Sequence, residues 1–438
     1  MITYYYPKRA QWSGLIRRPA IGQKQLTATV TEILEDVRQN GDEALIRYAK
    51  KFEGASLDNL AVKDREVSEA CGQVSPQLKE AIQTACDNIA TFHKAQQCPE
   101  AVVETTPGVR CWRKSVPIEK VGLYIPGGRA PLFSTILMLG IPARLAGCGK
   151  VVLCTPPDKT GGIHPAILYA ARLTGIKDIF KAGGAQAIAA MAYGTTTVPA
   201  VYKIFGPGNQ YVTRAKELVQ TQGVAIDLPA GPSEVLVIAD KTCRTDFVAA
   251  DLLSQAEHGP DSQVILLSDS KEVAAQCLAA VEKQLAGLPR QETTLQALSN
   301  SKTIVLDSLE ECVELSNLYA PEHLIIASEN ADRYADGITN AGSVFLGNYS
   351  CESAGDYASG TNHTLPTGGY ARCYSGVSLE SFVKKITFQE LTRTGLANMG
   401  KAIRVMAGAE ALAAHENAVT IRLKTTNDRL KTTNDDSN

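Results

Sequence analysis

The chain has 438 residues, 44% of them hydrophobic, which at about 150 residues per domain is enough for roughly two to four domains. Its 44 Lys and Arg against 46 Asp and Glu leave a formal charge of -2, with no basic footprint for nucleic acid and no acidic tail, so the expected partner is a small molecule. No apolar run reaches the ~18 to 20 residues that span a bilayer, and Met1-Ile-Thr-Tyr-Tyr-Tyr lacks the basic-then-apolar pattern of a secretory signal, so the chain reads as soluble and cytoplasmic.

Taken in order, Val30, Ile33, Leu34 and Val37 have helical spacing, and Asn40-Gly41 supplies a stop before a second helical stretch through Leu45, Ile46, Ala49 and Phe52. Ser75-Pro76 opens another helix as N-cap and first-turn proline, with Leu78, Ile82, Ala85, Ile89 and Phe92 on one face. From about residue 118, β-branched runs alternate with Ala/Leu-rich helices. Strands are expected at Val121–Ile125, Val151–Cys154, Asp178–Phe180 and Tyr202–Phe205, with helices at Thr135–Ala146, Ala166–Leu173 and Gln210–Val219 between them. A second run follows, with strands at Val235–Ala239, Gln263–Leu267, Thr303–Leu306, Leu324–Ala327 and Val344–Leu346, and helices at Phe247–His258, Glu272–Leu285 and Leu309–Leu318. This rhythm implies parallel sheets with right-handed crossovers. After about residue 375 the strand signal fades into a helical segment that includes Ala402–Ala414, and the sequence ends in a repeated RLKTTND expected to be disordered.

Eleven cysteines, odd in number and without a CxxC pair, argue against a disulfide framework and against a thiolate zinc site. Six histidines keep the search for metal or acid–base chemistry short. Glycine-rich turns follow three strands of the first run, at Tyr124-Ile-Pro-Gly127-Gly128, Gly183-Gly184-Ala-Gln186 and Gly206-Pro-Gly208-Asn209. Such turns suit a ligand lying over the carboxyl edge of a sheet, although a tight strand-to-helix turn explains the last equally well, because GxGxxG lacks its third glycine there. No Walker A sequence is present, which disfavours phosphoryl transfer from a nucleotide.

The densest polar cluster is Asp251-Leu-Leu-Ser-Gln255-Ala-Glu257-His258-Gly-Pro260. Gln255 and His258, three apart, share a helical face while Glu257 points elsewhere, so one imidazole and one amide make an incomplete metal site. Alone, His258 reads more readily as a helix-end histidine facing the dipole than as a ligand. In Pro321-Glu322-His323-Leu324, adjacent acid and imidazole point opposite ways in extended chain, fit for two separate proton transfers or simply a turn before a strand. Asp356, in the small-residue stretch Ser353 to His363, is either a turn or cap aspartate or an oxygen ligand. Glu410 and His415 lie five apart, about 140° around an ideal helix, and HENAV is not the HExxH of zinc proteases.

Together, LYIPGGRAPLFST (123–135), GGAQAIAA (183–190), FGPGN (205–209), IDLPAGPSEVLVIAD (226–240), DLLSQAEHGPDSQ (251–263), YAPEHL (319–324) and ESAGDYASGTNHTLPT (352–367) resemble the blocks of the histidinol dehydrogenase family, in order, from about residue 20 to about 420. The resemblance implies an α/β fold of two incomplete Rossmann-like parallel-sheet domains plus small N-terminal and helical C-terminal extensions. In this chain these become an extension at 1–21, a first large domain from 22–123 and 235–374, an NAD-binding domain at 124–234, a helical dimerisation segment at 375–421 and a disordered tail at 422–438.

It also implies two successive NAD-dependent oxidations, L-histidinol to L-histidinal to L-histidine, as the last step of histidine biosynthesis, in a homodimer whose active sites are shared between subunits. One zinc ion per subunit is then expected on Gln255, His258, Asp356 and His415, with His415 supplied by the partner subunit. Substrate is expected to touch Ser233, His323 and Glu410 as well as the zinc ligands, NAD to contact Tyr124, Gln186 and Asn209, and Glu322 and His323 to move protons. From another class, a zinc hydrolase with Glu322 as base would use the same ligands, leave the glycine-rich strand ends idle and show no dependence on NAD.

Overall fold

The computed structural model describes residues 1–18, 23–97, 99–127, 131–229 and 231–424. The chain forms two compact units: Met1–Gln96 with Ile118–Phe382, and Gln97–Pro117 with the chain from Val383 onward. Fourteen strands are numbered among the described residues. They are β1 (Ile2–Tyr5), β2 (Val102–Thr106), β3 (Val109–Pro117), β4 (Lys120–Tyr124), β5 (Lys150–Thr155), β6 (Asp178–Lys181) and β7 (Lys203–Phe205). There follow β8 (Ala225–Ile226), β9 (Glu234–Ala239), β10 (Gln263–Ser268), β11 (Lys302–Val305), β12 (His323–Ala327), β13 (Ser343–Leu346) and β14 (Val383–Leu391).

The larger unit holds two wholly parallel sheets. One has five strands in the order β6-β5-β4-β7-β8, the other six in the order β1-β11-β10-β9-β12-β13. Every residue of β9, β10 and β12 is buried, as expected of strands covered on both faces. The two α/β runs expected from the sequence are therefore present, with ends moved by a residue or two. In the five-stranded sheet the order reverses between β4 and β7, so a crevice opens beyond Tyr124 and Phe205, where ligands of open α/β sheets gather. At its rim Gly206 has φ +125°, and a Cβ there would meet Tyr124 O at 2.1 Å, so this close crossing requires glycine.

Several expectations are refined. The stop at Asn40-Gly41 is present as a sharp kink: Gly41, at φ 51° and ψ -126°, is non-helical and divides Gln23–Tyr48 into two helical stretches. Ser75 does cap its helix, its Oγ accepting from Leu78 N at 3.2 Å with Pro76 in the first turn. The inward face of that helix carries Ile82, Ala85, Cys86, Ile89 and His93, whereas Phe92 is exposed. Met1-Ile-Thr-Tyr-Tyr contributes β1, an edge strand beside β11.

The smaller unit is an antiparallel sheet in the order β14-β3-β2 and two helices, Arg393–Ala409 and Ala413–Lys424, packed on each other. The segment 375–421 is thus not wholly helical: β14 pairs with β3 along nine residues, from Val383 opposite Pro117 to Leu391 opposite Val109. Its residues are exposed apart from the first, so no apolar alternation of a half-buried strand marks it. Ala402–Ala414 is not one helix either, because Ala411 adopts φ 57° between the two. Of the tail expected at 422–438, Arg422–Lys424 is helical and the rest lies outside the described residues.

Candidate active site

Within the larger unit a cavity of about 910 Å³ lies between loops of the two sheets. Pro126, Thr135 and the turn Pro207–Asn209 face it from the five-stranded side. Ser233, Gln255, His258, Glu322, His323 and Asp356 face it from the six-stranded side, at the amino ends of its strands. This edge is set by sequence position: Ser233 precedes β9, Glu322 precedes β12, His323 begins β12, Gln255 ends the helix Thr245–Ala256 before β10, and His258 lies two residues beyond that helix rather than on its face. The helix Glu352–Tyr357 brings Asp356 back to the same place.

His323 is buried. Its Nδ1 lies 3.3 Å from the Glu234 carbonyl oxygen, 3.5 Å from Gln255 Nε2 and 3.6 Å from Glu322 Oε2. A carbonyl can only accept, so Nδ1 carries the proton in the neutral ring and Nε2 is the free base. That Nε2 is 3.4 Å from Asp356 Oδ1, yet neither atom has an aligned hydrogen bond, so the approach is one of charge rather than of a formed bond. Burial alone would lower the imidazole pKa, but the carboxylates of Glu322 and Asp356 outweigh it and hold the ring well above its ordinary range. A cation on Asp356 would weaken that pull and return the ring toward neutrality. Asp356 shows the converse: burial would raise its carboxyl, and His323 brings it below the usual range.

Glu322 is held by two donors, Glu234 N at 2.9 Å and Gln255 Nε2 at 3.3 Å, both on Oε2. Glu234 is itself fixed by Arg18, whose guanidinium pairs with both carboxylate oxygens and also donates to Tyr319 O at 2.9 Å. Neither Arg18 nor Glu234 was singled out in the sequence, because their link spans 216 residues. Glu352 was missed too, although it stands four residues before Asp356 on one helical face. One donor atom from each of His258, Glu352 and Asp356 lies within 4.8 Å of the other two. Burial raises the Glu352 carboxyl to about 8 and that of nearby Asp251 to about 7. His363 also lines the cavity, its Nδ1 2.9 Å from Asp356 O and its Nε2 3.0 Å from Thr135 Oγ1.

The donors suit a metal. Gln255 Oε1, Glu352 Oε2 and Asp356 Oδ1 are buried without a hydrogen-bond partner among the described residues, and a buried acceptor left so costs about 1–3 kcal/mol. Oxygen and imidazole nitrogen converging on one point match a borderline divalent cation such as zinc.

A second cavity of about 1470 Å³ is lined by Tyr124, Gln186 and Asn209, and Asn209 reaches both cavities. Tyr124 is buried, its hydroxyl accepts from Gly184 N at 3.1 Å, and burial raises its pKa. Asn209 Oδ1 caps the helix Gln210–Gln220 by accepting from Tyr211 N and Val212 N at 3.0 and 3.2 Å. Glu410 and His415 belong to the smaller unit, Glu410 at the end of the helix Arg393–Ala409 and His415 in Ala413–Lys424, and both are exposed.

A family profile described as histidinol dehydrogenase matches residues 16–423. The chain belongs to the histidinol dehydrogenase family. Among its relatives, the histidinol dehydrogenase of Bacteroides thetaiotaomicron is 58% identical over 420 residues, covering 96% of this chain and 98% of that one. That of Escherichia coli O157:H7 is 56% identical over 416 residues, covering 94% and 95%. The crystal structure of histidinol dehydrogenase from Elizabethkingia anophelis superposes with a TM-score of 0.96 at 59% identity, covering 98% of this chain and 99% of that one. An acetylating aldehyde dehydrogenase from Geobacillus thermoglucosidasius, 14% identical with a TM-score of 0.50 over 87% of this chain and 94% of that one, shares the fold alone. Among the described residues no cysteine lines the first cavity, so that cavity offers no thiol nucleophile.

Proposed function

We propose that this protein oxidises L-histidinol through L-histidinal to L-histidine with two molecules of NAD, at a site holding one zinc ion per subunit of a homodimer. The observation that carries the reading is the convergence of Gln255, His258, Glu322, His323 and Asp356 on one cavity of a chain that belongs to the histidinol dehydrogenase family. Gln255, His258 and Asp356, with His415 of the partner subunit, would hold the zinc; Tyr124, Gln186 and Asn209, in residues 124–234, would contact NAD. When bound, zinc orients the substrate through its nitrogens and NAD accepts hydride at each oxidation.

The protein's own groups move the protons. His323 donates through Nδ1 to Glu234 O, so Nε2 takes the alcohol proton. An aldehyde must be hydrated before it can be oxidised again. Glu322, fixed by Glu234 N and Gln255 Nε2, takes the proton of the attacking water while His323 returns its proton to the aldehyde oxygen, which frees Nε2 to take that of the hydrate in the second oxidation. Ser233 and Glu410 of the partner subunit complete the substrate contacts.

The test is a stoichiometry: limiting L-histidinol, excess NAD, and NADH counted at completion with the product identified. About two NADH per histidinol with histidine formed, lost on chelation and restored by zinc, is the expected outcome. One NADH with aldehyde released would remove the second oxidation, and none would remove the reading.

A further inference from the structure

We propose that Glu352 is a ligand of the cation in the substrate-free enzyme, beside His258 and Asp356 of the same subunit. The inference rests on the zinc reading above and enlarges its ligand set by a second carboxylate. Glu352 and Asp356, at i and i+4 of the helix Glu352–Tyr357, point the same way, and their oxygens and a His258 nitrogen lie within 4.8 Å of one another. Ligand bonds of about 2.0–2.2 Å in a five-coordinate array set neighbouring donors about 2.8–3.8 Å apart, so side-chain movements on the order of 1 Å close the set.

The second observation is the state of the carboxylate itself. Glu352 is only 1% exposed, and its Oε2 has no hydrogen-bond partner among the described residues. A glutamate that served only as a favourable first-turn charge on its helix would do so from the surface, in water. Here the carboxyl is turned away from solvent toward His258 and Asp356, an arrangement in which it is ionised only when a cation lies between the two acids. Gln255, which lines the same cavity as His258 and Asp356, also has a buried and unpartnered Oε1.

The experiment measures zinc affinity of the substrate-free wild type, Glu352→Gln and Glu352→Ala by competition with a chromophoric chelator, and records visible absorption of the cobalt-substituted proteins. Loss of an outer-shell partner costs about 10- to 100-fold in affinity. A direct ligand is expected to cost more than about 100-fold in both variants and to alter the cobalt bands. A loss smaller than that, with unaltered bands, overturns the proposal. Should the variants fail to fold, a crystal structure of the zinc-loaded, substrate-free wild type decides: Glu352 oxygen at about 2.0–2.2 Å from zinc supports the proposal, and an oxygen beyond about 3 Å overturns it. A wild type that takes up no zinc would instead sink the zinc reading on which this one rests.

Discussion

The backbone N–H of Glu234 donates to Oε2 of Glu322 at 2.9 Å, so the first residue of β9 aims the carboxylate that precedes β12. Gln255 Nε2 reaches the same oxygen at 3.3 Å. Glu322→Gln keeps an acceptor for both donors and removes the carboxylate proposed as base, together with its charge beside His323. General-base catalysis is typically worth about 10²–10⁴-fold, so oxidation of L-histidinal should fall by that order while oxidation of L-histidinol falls much less. Steady-state rates with each substrate check this. Equal losses on both would assign Glu322 to substrate binding instead.

Gly342 lies against the same carboxylate's backbone: a Cβ at this position would meet Glu322 O at 2.5 Å, while Ser343 N donates to that oxygen at 2.9 Å. Gly342→Ala must therefore push β13 from Glu322, the residue proposed as base. An overpacking cost of about 1–3 kcal/mol is expected in urea unfolding, with histidinal oxidation more impaired than histidinol oxidation. Unchanged stability would mean that the strand shifts freely and that Glu322 is not locked by it.

What could be read from the sequence follows from how local each signal is. The β-branched runs of β9, β10 and β12 are buried on both faces and announce themselves, and Ser75-Pro76 is a cap within a few residues of chain. β14 pairs with a strand some 270 positions earlier and buries almost nothing, so neither partner nor pattern was visible. The Arg18–Glu234 pair fails for the same reason of distance. Glu352 is different: its i,i+4 spacing to Asp356 was in plain view, but a first-turn glutamate is ordinary until its burial is known.

Lys216 and Asp227 form an ion pair buried beneath the Gly206–Asn209 turn, with Lys216 Nζ donating to Gly206 O at 2.9 Å and Gly206 N donating to Asp227 Oδ2 at 2.8 Å. Removing one partner strands the other charge. Lys216→Met should cost about 3–5 kcal/mol of stability by urea unfolding and raise KM for NAD more than KM for histidinol, because Asn209 stands at the end of that turn. A variant as stable as wild type would show that water reaches the pair.

Glu53 lines the second cavity, and burial raises its carboxyl to about 7 from an ordinary value of 4.5. The unfolded chain releases this proton near the ordinary value and the folded chain only near 7. Between the two the unfolded state therefore binds fewer protons, and stability falls as pH rises. Glu53→Gln should leave stability at pH 4 little changed and increase it at pH 8 by about 1–2 kcal/mol, the full shift being discounted because the group is partly exposed. Urea unfolding of nucleotide-free protein at both pH values checks the sign; stabilisation at the lower pH alone would show that Glu53 is paired when ionised.

Glu410 and His415 are exposed on the smaller unit, whereas of the zinc donors proposed in the larger one Gln255 is buried, Asp356 half-buried and His258 exposed. If His415 acts in trans, each site takes its base from one subunit and its fourth zinc ligand from the other. In a mixed dimer of His415→Ala and Glu322→Gln subunits, one site then carries both defects and the other carries none. Co-expression under two affinity tags, with purification through both, isolates that mixed dimer, which should oxidise L-histidinal at about half the wild-type rate although each parent homodimer is nearly inactive on that substrate. If His415 acts within its own subunit, each site of the mixed dimer carries one defect and the activity stays at the level of the parents. Folding of all three dimers, followed by their thermal unfolding, separates that result from simple misassembly.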